Sequence, residues 1–102
     1  MIDASKELKQ WLCENITILE NSHISYELRL PSKEDDINKS ALVLDAAPLL
    51  SSLTIWGSGM TEFIVLNGDN GEDVISIDHE CKTPAEVISF LDSSLKKIID
   101  LQ

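Results

Sequence analysis

Carboxylates are the first residues in this chain whose type and spacing could do chemistry. Glu34-Asp35-Asp36, Glu72-Asp73 and the near pair Asp78 and Glu80 each bring acidic groups within three positions of one another. General acid–base catalysis needs two carboxyls in a pocket that pushes their pKa values apart. These clusters fall in or beside polar turns and strand ends, where water keeps both groups ionised, so the pattern argues against catalysis. Asp69-Asn70-Gly71-Glu72-Asp73 has the composition of a calcium loop. It lacks the alternate-ligand spacing and the distal Glu of an EF-hand, and reads as a turn. His79 and Cys81 stand two apart, with Cys13 and His23 elsewhere, which is not the paired spacing of a zinc site. Ser58 lies in Gly57-Ser58-Gly59 without the five-residue frame of a nucleophile elbow, and strand rather than helix follows it. No glycine-rich loop follows a strand and opens a helix. The expectation is a protein without catalytic residues, cofactor or metal.

Trp56, beside Gly57-Ser58-Gly59, carries two readings. It can brace the fold, packed across the strand beside Thr54 or over Phe63 with its indole N–H on a backbone carbonyl. It can also anchor a partner, since Trp is enriched among residues that dominate binding energy.

The elements that must position these residues are legible from periodicity. Asp3 or Ser5 can cap a first helix whose apolar stripe is Leu8, Trp11, Leu12, Ile16 and Leu19, stopping near Asn21-Ser22. Trp11 belongs to the core, and Cys13 to its edge. From His23 to Leu30 polar and apolar residues alternate strictly, which predicts a half-buried strand ended by Pro31. Residues 32–40 read as a solvated loop, Ala41-Leu42-Val43-Leu44 as a short strand, and Ala46-Ala47-Pro48 as a break. Leu50 to Trp56 and Met60 to Leu66 flank the Gly-Ser-Gly turn as a hairpin. Asn67-Gly68-Asp69-Asn70-Gly71 turns into a last strand, Asp73 to His79, with Ile75 and Ile77 on one side and Val74 on the other. Thr83-Pro84-Ala85-Glu86 has the form of a capping box with proline at the first helical position. Val87, Ile88, Leu91, Leu95, Ile98 and Ile99 mark the apolar face of the helix that follows. Lys96 and Lys97 suit its C-terminal dipole. The order helix, about five antiparallel strands, helix predicts an α+β fold, residues 1–102 as one domain. Both helices pack on one face of the sheet, leaving the other exposed.

Composition narrows the partner. Of 102 residues 18 are acidic and 8 basic, a formal net charge of −10. That opposes nucleic acid or an anionic membrane as partner and suits a basic protein surface, or serves solubility alone. No apolar run is long enough to span a membrane, and Met1-Ile2-Asp3-Ala4-Ser5-Lys6 does not read as a signal peptide. Two cysteines make no disulfide framework, so free thiols in a reducing cytoplasm are expected.

From Trp56-Gly57-Ser58-Gly59 outward, the chain resembles the TriTu family of immunity proteins. That family's pattern has an amphipathic N-terminal helix and a strand of the Ser25-Tyr26-Glu27-Leu28-Arg29 type. A polar loop follows, then a strand ending in Asp, as in Leu42-Val43-Leu44-Asp45. Next come a hydrophobic strand closing in Trp-x-Ser-Gly, a mixed strand, a Gly-containing turn, a last strand ending near a His (here His79) and a capped helix (here Thr83 to Leu101). The order of features matches over roughly residues 6–99. Only the Trp56-to-Gly59 element is distinctive, and Met60 and Thr61 depart from the acidic or polar residues that often follow the glycine. The resemblance implies an immunity protein that binds and neutralises a toxin delivered between bacteria on a large secreted polymorphic effector, as in type VI secretion. The toxin implied is an ADP-ribosyltransferase that modifies elongation factor Tu and has a basic NAD-binding cleft, blocked by covering its NAD or target site in a 1:1 complex with a monomeric inhibitor. The expected contacts are Trp56, Ser58, Met60, Glu62, Asp78 and His79 along one sheet end and face, with Asp69 and Glu72 as an acidic rim. The competing reading is a small acidic secretion chaperone or adaptor, which would dimerise.

Overall fold

The computed structural model describes residues 2–31 and 38–102. The Glu34-Asp35-Asp36 cluster lies outside the described residues. The elements run α1 (Ala4–Asn21), β1 (Ser25–Arg29), β2 (Lys39–Ala46), β3 (Leu49–Trp56), β4 (Met60–Asn67), β5 (Asp73–Glu80) and α2 (Pro84–Leu101). All neighbouring strands pair antiparallel, so the sheet is a meander in the order β1-β2-β3-β4-β5. This is the α+β architecture expected, with five strands between two helices.

Asp3, not Ser5, caps α1, accepting the Lys6 amide at 3.1 Å. Ser5 instead meets Ser40 of β2, oxygen to oxygen at 2.7 Å. The helix ends with His23 in the left-handed region (φ 57°). The Ile24 amide then donates to the Leu19 carbonyl and the His23 amide to that of Glu20. This is a Schellman arrangement, closed by the apolar contact its geometry favours between buried Leu19 and Ile24. Thr83 caps α2, its hydroxyl accepting the Glu86 amide at 3.3 Å. Glu86 reaches past the cap and accepts the Lys82 amide at 2.5 Å, rather than the Thr83 amide expected of a capping box. Because α2 runs to Leu101, Lys96 and Lys97 fall short of its last turn, which holds no basic residue.

Strand alternation sorts the sheet into two faces. Leu42 and Leu44, Leu53 and Ile55, Phe63 and Val65 all point to the helix side and are fully buried. They meet Leu8, Trp11, Leu12 and Leu19 of α1 and Val87, Leu91, Leu95 and Ile98 of α2 in one core. α1 lies over β1 and β2; α2 leans on α1 and β3. Trp11 ties the helices together, its indole N–H donating to the Asp92 carboxylate at 2.9 Å. Buried hydroxyls on the inner face are paired, Ser51 donating to the Leu44 carbonyl and Thr61 to that of His79. Removing these polar groups from water is thereby compensated.

Both ends of β2 differ from the sequence reading, and so does the place of Cys13. β2 begins at Lys39, not Ala41, because Lys39 and Ser40 pair with Trp56 and Ile55. The ladder is made of backbone groups and does not require apolar side chains there. The break after Ala46 is only a two-residue turn, Ala47-Pro48, joined by a cis peptide bond. Cys13, expected at the core edge, is exposed. Among the described residues no helix is long and apolar enough to cross a membrane.

Candidate functional site

The Gly57-Ser58-Gly59 turn is a junction, not a free loop tip. The Gly57 amide donates to the Asn38 carbonyl at 2.7 Å, and the Gly57 carbonyl accepts the Ile2 amide at 3.0 Å. The Asn38 side chain closes the same knot, donating to the Ile2 carbonyl and accepting the Ala4 amide. On the other side the Gly59 carbonyl accepts the Cys81 amide at 2.7 Å. A Cβ at Gly57 would lie 2.2 Å from the Asn38 amide nitrogen, and one at Gly59 would lie 2.0 Å from the Cys81 carbonyl oxygen. Both glycines are therefore required by close approach, and Gly59 also by its φ of +98°. Ser58 alone of the three is exposed.

This knot sets Trp56 at the end of the uncovered sheet face. Phe63 points to the opposite, buried face, so Trp56 does not pack over it. The ring is half-buried, and the Lys39 ammonium lies 5.2 Å from its centroid, directly across the strand pair. Trp56, Ser58, Met60, Thr61, Glu62 and Asp78 line one shallow hollow of about 300 Å³. Five of the eight expected contact residues thus come together.

The other three do not join them. His79 follows Asp78 in an extended strand and so points to the helix side, where its ring stacks on Phe90 with centroids 6.1 Å apart. Asp69 and Glu72 sit in the β4–β5 turn, at the far end of the hairpin from Trp56, roughly 20 Å away along a strand of this length. In that turn Asn67 and Asn70 accept the amides of Asp69 and Glu72 through their side chains, which is local turn chemistry.

The structure adds residues that the sequence reading did not single out. The register places Val43, Leu50, Ile64 and Leu66 on the open face in line with Trp56 and Met60. Leu50 and Met60 are 42% and 40% exposed. Carboxylates border this apolar band on both sides: Glu62, Asp78 and Glu80 towards β5, Glu27 and Asp45 towards β1. Of the cations there, Arg29 is held by Glu27 at 3.2 Å and Lys39 by the Trp56 ring. The signal was present in Phe63-Ile64-Val65-Leu66, where both parities of one strand are apolar, which marks a strand with something to cover on each face.

Other chemistry is sparse. Among the described residues no three of His, Cys, Asp and Glu gather as a metal-binding group. Cys81 is buried, and desolvation pushes its thiol pKa up, assisted by the nearby Glu86 charge and partly opposed by the Thr61 hydroxyl. Iodoacetamide should accordingly add once to the native protein, at Cys13, and reach Cys81 only in denaturant. Two adducts on the folded chain by mass spectrometry would contradict this.

A shallow, partly apolar face with an acidic border suits a protein surface better than a small substrate. No curated protein matches the sequence. The family model for immunity protein TriTu matches residues 6–97, a span that contains all five strands and most of both helices, and the chain belongs to that family.

Proposed function

We propose that this protein binds a cognate secreted antibacterial toxin and neutralises it by laying the open face of its sheet over the toxin's active site. Membership of an immunity family supports the immunity role itself. The toxin proposed is an ADP-ribosyltransferase acting on elongation factor Tu, carried by a polymorphic effector and met in the cytoplasm. One monomeric, single-domain inhibitor, without cofactor or catalysis of its own, occupies one toxin. The observation that carries this reading is the open face: an apolar band from Trp56 to Leu50 and Leu66 with carboxylates on both borders. A cleft that binds the phosphates of NAD is cationic, and an acidic border both steers towards it and pairs with it. Trp56 at the end of the band supplies the aromatic anchor that such contacts favour.

The direct test follows transfer of ADP-ribose from NAD to elongation factor Tu by the cognate toxin domain, identified by pull-down from the native strain. Activity should fall to zero at one equivalent of the immunity protein. Full activity at several equivalents would sink the proposal. Reversing two border charges, Glu62→Lys with Asp78→Lys, should slow association by about tenfold or more and flatten its dependence on salt, with a smaller effect on dissociation. Stopped-flow association at several ionic strengths reads this. An unchanged association rate would mean that the acidic border does not face the toxin.

A further inference from the structure

On the helix side, α2 stops short of the last strand. Between α2 and β5 lies a hollow of about 440 Å³, with Phe63 at its floor, Ile77 and His79 on one wall and Phe90 and Ser89 on the other. The Phe90 ring lies parallel to His79, 6° between planes. Beside this hollow runs the edge of β5, eight residues long and without a further strand among the described residues. The Cys81 amide donates to Gly59 across the β4–β5 pair. Antiparallel bonding alternates, so the backbone N–H and C=O groups of Ser76, Asp78 and Glu80 turn outward, away from β4. The side chains alternate as well. Ile77 and His79 flank the hollow, and Ser76, Asp78 and Glu80 flank the open face.

We infer that the β5 edge accepts an extended segment of a protein partner as a sixth strand, with apolar residues alternating with lysine or arginine. Three independent features of the edge ask for such a segment. Unpaired amides and carbonyls take a strand's backbone. The hollow takes side chains from one parity, against Ile77 and Phe90. The carboxylates of Asp78 and Glu80 take cations from the other parity as cross-strand neighbours. A second copy of the chain is disfavoured as the occupant: two β5 edges would crowd Asp73, Asp78 and Glu80 of both copies together, between molecules that each carry a net charge of −10. The carboxylates that deter self-pairing thus select a basic strand. This edge shares Asp78 and Glu80 with the border of the proposed toxin-binding face but adds the outward backbone of β5 and the hollow beside α2, and its test does not need the toxin.

The test uses the full chain, isotope-labelled for amide-resolved NMR, and two synthetic peptides of about nine residues, long enough to span β5. One alternates lysine with valine, the other glutamate with valine. The lysine peptide should shift the amides of Ser76, Asp78 and Glu80 and slow their hydrogen exchange, and the glutamate peptide should leave them unchanged. Ser89 is exposed on α2, so Ser89→Arg leaves the core intact while filling the hollow with a cation. It should weaken the lysine peptide by about tenfold or more. The inference is overturned by no response, by an equal response to both peptides, or by a response at β1 or around Trp56 instead. Concentration-dependent shifts at β5 without peptide would overturn it too, by naming a second copy as the occupant.

Discussion

Gly59→Ala is expected to lower the folding stability by about 3 kcal/mol or more. Two separate costs add at this position. The residue has φ +98°, where a side chain strains the backbone. The new Cβ would also lie 2.0 Å from the Cys81 carbonyl oxygen. That oxygen belongs to backbone and cannot swing aside as the end of a long side chain would. Relieving the overlap means separating β4 from the segment entering α2, which breaks the Cys81-to-Gly59 hydrogen bond and opens the buried environment of Cys81 and Thr61. Urea unfolding followed by circular dichroism should show the midpoint fall by roughly 1–3 M for a domain of this size. Ser58→Ala is the control, since Ser58 is exposed and its substitution should stay within about 0.5 kcal/mol of the parent. A Gly59→Ala protein that unfolds at the parent midpoint would show that the contact yields easily.

Trp56→Ala is expected to weaken toxin binding by about 2 kcal/mol or more, roughly 30-fold, while costing the fold about 1 kcal/mol or less. The asymmetry follows from where the ring lies. Trp11 is fully buried and hydrogen-bonded between the helices. Trp56 is half-buried on the open face, in contact with Lys39 and a shallow hollow. Removing it deletes half-exposed ring surface and one cation–π contact, and no core packing of the kind Trp11 makes. Calorimetric titration against the toxin, paired with urea unfolding of the free protein, separates the two effects. Loss of the fold together with binding would assign Trp56 to bracing the sheet end and leave the contact to Met60 and Ile64.

These two residues also mark where sequence legibility stopped. The Gly57-Ser58-Gly59 turn was readable as a turn, yet nothing local told that its glycines are held by Asn38, Ile2 and Cys81, which lie far from them along the chain. His79 shows a different limit. Its proximity in sequence to Asp78 suggested a shared site, but period-two geometry separates the two by the thickness of the sheet. Asp69 and Glu72 were grouped with Trp56 by charge, and the length of the β4–β5 hairpin keeps them at the other end.

By itself the sequence determined what depends on neighbours along the chain. Periodicity specified two one-sided helices and a meander of strands, side-chain caps specified the helix starts to within a residue or two, and the ordered pattern around Trp56-Gly57-Ser58-Gly59 specified the family. Only the tertiary structure decided which carboxylates border the same apolar band, that Asn38 and Cys81 clamp the hairpin from both sides, and that α2 leaves the edge of β5 uncovered. These are relations across the sheet. They depend on strand register and on how far a helix leans, and those follow from the packing of the whole core, not from any local run of residues.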